Sequence, residues 1–185
     1  MILWTRRRWM QTVIAGSAGL TLARLASARD AGDAVADTRT LELVNTHTNE
    51  TARVVFRRGG EYDSRAIAAL RDVLRDHRND ESHDIDVRLY DQLHALALAA
   101  RCEPRFEVIS GYRSPASNAQ MATQGSGVAK RSLHMEGRAI DVRMHNCNCD
   151  DLRDLALAAG QGGVGYYKRS NFVHIDTGAF RTWIG

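Results

Sequence analysis

Residues 132–143 read Ser132-Leu133-His134-Met135-Glu136-Gly137-Arg138-Ala139-Ile140-Asp141-Val142-Arg143. Gly137 interrupts a polar turn, and from Ala139 onward apolar and polar residues alternate as they do in a strand. Ala139, Asp141 and Arg143 then share one face and Ile140 and Val142 the other, which sets the Asp141 carboxylate among apolar strand neighbours. Burial there is costly unless a cation or a metal meets the charge. A second run, Phe172-Val173-His174-Ile175-Asp176, alternates in the same way and places Phe172, His174 and Asp176 on one face. If the two strands are neighbours, His134, Asp141 and His174 converge as the three protein ligands of a catalytic zinc, whose fourth position stays open to water. The alternative for each histidine is a satisfied core side chain.

Working outward, Leu41–His47 and Thr51–Phe56 are β-prone runs joined by Thr48-Asn49-Glu50, a hairpin. Past Gly59-Gly60, Asp63 or Ser64 caps a helix with apolar positions at Ile67, Leu70 and Leu74. Asp86 caps a second, whose stripe Leu89, Leu93, Leu96, Ala97 and Ala100 runs to Arg101. Phe106–Ser110 alternates as a strand and leads into Gly111-Tyr112-Arg113-Ser114, where Pro115 opens a short helix to about Thr123. Asp150 or Asp151 caps a helix through Ala159, and Gly163–Tyr167 and Phe172–Asp176 read as two closing strands. The order β-β-α-α-β-α-β-α-β-β predicts an α+β fold, a small, mainly antiparallel sheet with flanking helices, in one domain over residues 40–185.

The 185 residues hold 25 basic and 22 acidic side chains. Four of the arginines (Arg6, Arg7, Arg8 and Arg24) fall in residues 1–28, which contain no acid; without them 21 basic residues face 22 acidic ones. The basicity belongs to that segment, so no nucleic-acid partner is expected. The segment itself reads as an export signal: a positive start, an uncharged run Thr12–Ala23, and Ala26-Ser27-Ala28 as a small-x-small cleavage site. Thr5-Arg6-Arg7-Arg8-Trp9-Met10 follows the twin-arginine pattern, which predicts export of folded protein to the periplasm by the twin-arginine machinery. Residues 29–39 are expected to be a flexible leader, and no membrane span is expected in the mature form.

Cys102, Cys147 and Cys149 are an odd number for an oxidising compartment. Cys-x-Cys beside His145 lacks the second ligand pair of a structural zinc module. A disulfide from Cys102 to one of the other two, or free thiols, are the remaining readings.

Ser110–Ser114, Ser132–Asp141, Gly163–Tyr167 and Asn171–Gly178, in this order, closely resemble the murein endopeptidase K (MepK) family, within the zinc D-alanyl-D-alanine carboxypeptidase-like peptidases. The likeness spans roughly residues 40–185. It implies a zinc peptidase that opens peptide cross-links of peptidoglycan stems, with meso-diaminopimelate bonds as the target. By position it implies His134, Asp141 and His174 as zinc ligands and Arg113 as a substrate-binding residue. From the residues themselves, Tyr112, Tyr166 and Tyr167 are candidates to line the cleft and contact substrate, the alternative being half-buried packing. The wider group commonly has a carboxylate three residues before the last histidine as general base; Asn171 stands there, and an amide cannot take a proton from water. Asp176, on the face of His174, is the first candidate for the base and Glu136 the second; Asp176 could equally orient a ligand. The alternatives in function are a carboxypeptidase trimming stem ends and a catalytically inactive peptidoglycan-binding module.

Overall fold

The computed structural model describes residues 37–123, 129 and 131–185. The expected export signal and most of the expected leader lie outside the described residues; Arg39, the last residue of the expected leader, already opens the first strand. Among the described residues eight strands form one sheet: β1 (Arg39–Asn45), β2 (Thr51–Arg58), β3 (Glu61–Tyr62), β4 (Arg105–Ser110), β5 (Ala139–Met144), β6 (Gly163–Tyr167), β7 (Phe172–Asp176) and β8 (Arg181–Ile184). Their order is β3-β2-β1-β4-β5-β7-β6-β8. The α+β class holds and most pairings are antiparallel, but β1 with β4 and β6 with β8 run parallel. The sheet is also not small. The two extra strands sit at its edges, where β3 is only two residues long and β8 is mostly exposed, so neither carries a half-buried alternation strong enough to read.

Among the described residues four α-helices accompany the sheet: α1 (Ser64–Val73), α2 (Val87–Ala100), α3 (Pro115–Thr123) and α4 (Cys149–Ala159). Asp63 caps α1, its Oδ1 accepting from the N–H groups of Arg65 and Ala66, and Asp86 caps α2. The cap of α4 is Asn148, whose Oδ1 accepts from Asp151 N–H at 2.8 Å. Asp150 and Asp151 lie instead in the first turn, where their charge favours the positive end of the helix dipole.

The core forms where the helix stripes meet one sheet face. Leu70 of α1, Leu89, Leu93 and Ala97 of α2 and Leu152 of α4 are buried together with Leu41, Leu43, Phe106, Val108, Ile140, Val142 and Val173. Each such aliphatic or aromatic side chain contributes about 1.5–3 kcal/mol relative to exposure. Pairing Val142 with Val173 and Val108 with Val142 puts these residues on one face, which leaves Asp141 and His174 to project from the other. Cys102, Cys147 and Cys149 are free thiols. Among the described residues no helix is long and apolar enough to cross a membrane.

Candidate metal centre

β5 and β7 are antiparallel neighbours, and Asp141 lies directly opposite His174. His134 reaches the same point from a 3-10 turn, Leu133–Glu136, that immediately precedes β5. Ser132 starts this turn by accepting from His134 N–H, and Gly137 ends it at φ 63°. A Cβ at Gly137 would lie 2.0 Å from the Asp84 carbonyl oxygen, so both the left-handed backbone and the close approach require glycine.

The hydrogen bonds decide which ring nitrogens face each other. His134 Nδ1 is 2.7 Å from the Gly111 carbonyl, which can only accept, so Nδ1 carries the proton and Nε2 presents a lone pair. His174 Nε2 donates to Asp176 Oδ2 at 3.0 Å, which frees its Nδ1. His134 Nε2, His174 Nδ1 and Asp141 Oδ1 then form a triangle with sides of 2.8, 3.2 and 3.3 Å. A tetrahedral ion with bonds of about 2.0–2.1 Å separates its ligand atoms by roughly 3.3 Å. One carboxylate oxygen and two imidazole nitrogens, the imidazoles each held from behind by a hydrogen bond, therefore fit a zinc ion. Among the described residues this is also the one group of three or more potential metal ligands.

Electrostatics agree with the geometry. Burial opposes the Asp141 charge, yet His134 and His174 hold its carboxyl well below the ordinary carboxylate range. Burial would likewise lower the His174 pKa, but hydrogen bonds to Asp141 and Asp176 hold it above the ordinary histidine value.

The remaining sequence-derived residues divide between the centre and elsewhere. Arg113 is 5% exposed. Its guanidinium donates to Ser110 Oγ and Asn118 Oδ1, both at 3.3 Å, lies 4.0 Å from Asp141 Oδ2 and keeps a buried Nε without a partner. It lines an open cleft of about 950 Å3 together with His134, Asp141 and His174. Tyr112 does not line that cleft: its ring stacks on His83 at 5.0 Å and is packed into the core. The alternation of the chain sends it to the face opposite Arg113. The tyrosine that does line the cleft is Tyr167, whose Oη accepts from Trp183 Nε1 at 3.0 Å.

Neither candidate base is placed to take a proton from the cleft. Asp176 is wholly buried and receives five donors, from His174 Nε2, the N–H groups of Gly163 and Gly178, and both terminal nitrogens of Arg181. Burial opposes its charge, but these partners hold its pKa far below that of an ordinary carboxylate. Glu136 is largely exposed, pairs with Arg138 at 3.0 Å and is not part of the cleft lining. Asn171 has a backbone role: it takes φ 53° in the turn joining β6 to β7, a conformation that asparagine tolerates better than most side chains. Sequence reasoning missed Trp183 and Arg181, because both lie on or beside the unrecognised β8, and Ser110 and Asn118, whose pairing with Arg113 depends on how β4 and α3 meet.

The model of the family described as "Peptidoglycan L,D-endopeptidase MepK" matches residues 33–183. Among curated proteins, the peptidoglycan L,D-endopeptidase MepK of Escherichia coli (strain K12) is 41% identical over 145 residues, which cover 78% of this chain and 80% of the relative. The probable peptidoglycan L,D-endopeptidase MepK of Haemophilus influenzae is 36% identical over 149 residues, 80% of each chain. No solved structure matches significantly. With its match running through both β5 and β7, the chain belongs to the peptidoglycan L,D-endopeptidase MepK family.

Proposed function

We propose that this protein is an exported zinc peptidase that hydrolyses peptide cross-links of peptidoglycan, at bonds made to meso-diaminopimelate, in the periplasm after twin-arginine export. The observation that carries this reading is the triangle of His134 Nε2, Asp141 Oδ1 and His174 Nδ1, with both imidazoles oriented from behind, in a chain of this family. Held there, zinc would supply Lewis acidity toward a water molecule and a scissile carbonyl. The chain's own groups do the rest. Gly111 and Asp176 lock the two imidazoles in the ligating tautomers. Arg113, with its orphaned Nε–H and planar fork, binds a substrate carboxylate or the charge developing on the carbonyl oxygen. Tyr167, fixed by Trp183, offers its hydroxyl hydrogen to the bound peptide.

Digestion of purified murein by the mature protein, with and without chelator, tests the reading. Cross-linked dimers should convert to monomers, the conversion should stop on chelation, and metal analysis should find about one zinc per chain. His174→Ala should lose both metal and activity. Loss of terminal residues from monomers, with dimers untouched, would replace the endopeptidase by a carboxypeptidase; binding of murein with zinc loaded and no product would leave an inactive binding module.

A further inference from the structure

Arg113 is not the only guanidinium at the cleft. Arg78 and Arg131 line it too, whereas the sole side-chain carboxylate among its described lining residues is that of Asp141 of the metal triangle. The remaining lining arginine, Arg181, is already engaged by Asp176 at 2.6 and 3.1 Å. Arg78 is also placed with care. Its backbone N–H donates to Asp76 Oδ1 at 3.1 Å and one guanidinium nitrogen lies 3.4 Å from the same oxygen, while Asp76 Oδ2 accepts from Ser114 N–H at 2.9 Å. Asp76 is fully buried, so one carboxylate fixes Arg78 relative to the turn that carries Arg113. The rest of the Arg78 fork remains partly exposed, with a side-chain exposure of 32%. Arg131 is exposed one residue before Ser132, the residue that starts the His134 turn. Gathering these like charges along one wall is unfavourable until an anion arrives.

The cross-link proposed above carries two such anions, and the inference rests on that reading. An L,D-bond between two diamino diacids joins the L-centre carbonyl of one to the D-centre amine of the other. The amine-side residue has a carboxylate on the carbon next to the scissile nitrogen, and the carbonyl-side residue has another at the far end of its side chain. Arg113, beside Asp141, is positioned for the first. We propose that Arg78, supported by Arg131, binds the second, and that the cleft therefore selects cross-links whose carbonyl-side diamino acid has a free rather than an amidated carboxylate.

The test compares two L,D-linked dimers, free acid and carbonyl-side amide, on the zinc-loaded protein. The wild type should show a KM roughly ten- to a hundred-fold higher for the amide, as expected for loss of a charge-assisted pair in a partly buried site. Arg78→Gln should raise KM for the acid by a similar factor and no longer distinguish the two, with kcat and zinc content little changed; Arg78→Lys should recover part of the preference. Equal KM values for the two dimers in the wild type, or a preference that survives in Arg78→Gln, would overturn the assignment. Calorimetric binding of the same dimers reads the preference without turnover. If the wild type binds the acid dimer selectively through Arg78 but cuts neither, the subsite stands and the endopeptidase reading falls.

Discussion

The imidazole of His174 lies between Asp141 Oδ1 at 2.8 Å and Asp176 Oδ2 at 3.0 Å, one carboxylate on each ring nitrogen. Because Asp176 is itself saturated by five donors, it acts on the ring rather than on a substrate. In Asp176→Asn the amide oxygen can still accept from Nε2–H, but the charge that strengthens that bond is gone and the Arg181 fork loses its partner. Zinc affinity should fall by about 10- to 100-fold, and activity should return when free zinc is raised. Loss of kcat with zinc fully loaded would instead make Asp176 the proton acceptor. The faces on which Asp141 and His174 stand were legible from the chain because alternation fixes which side chains share a strand face. The role of Asp176 was not, since its other donors come from Gly163, Gly178 and Arg181, which only folding brings together.

Between elements, the floor of the cleft depends on β8 seating against β6. Gly165 pairs with Trp183 in register, and a Cβ at Gly165 would sit 2.4 Å from the indole ring. The same indole lies 5.0 Å from the His174 ring and donates to Tyr167. Gly165→Ala must therefore push Trp183 outward, at an expected loss of about 1–3 kcal/mol typical of overpacking. Chemical denaturation should show that loss, and the near-ultraviolet circular dichroism of the native state should change as the indole moves. An unchanged denaturation midpoint would mean that β8 is free to yield. The glycine itself is plain in the sequence, but its reason is a partner eighteen residues later on a strand too short to announce itself.

For the molecule as a whole, acid stability should fall in two separate windows. The His77 pKa is lowered to about 4 by burial first, then by Arg78 and by the stacked His47. The unfolded chain therefore binds the extra proton between pH 6.5 and 4, so the His77 contribution to stability is flat above that window and declines through it as pH falls. Asp76 follows the carboxylate rule. Burial opposes its charge, but hydrogen bonds from Ser117, Ser114 and Arg78 lower its pKa to about 2, so its contribution is whole above 3.8 and is lost as pH drops toward 2. Urea midpoints across this range should show both declines, and His77→Asn should flatten the upper one while leaving the lower. Should the mutant keep the slope between pH 6.5 and 4, His77 is not its source.

The linear sequence by itself determined the α+β class, the caps of α1 and α2, the inner strands, and the strand faces that carry Asp141 and His174. These rest on periodicity, capping chemistry and strand alternation, all of which act over a few residues. Only the tertiary structure decided that the sheet has eight strands, that Tyr112 is core and Tyr167 lines the cleft, that Asp176 is a saturated support, and that Arg78 stands beside Arg113. Each of these depends on contacts between residues far apart in the chain. Edge pairing, the side from which a turn reaches the cleft, and the hold of the buried Asp76 on both Arg78 and the Ser114 backbone follow from how packed layers meet, and no local pattern of residues encodes that.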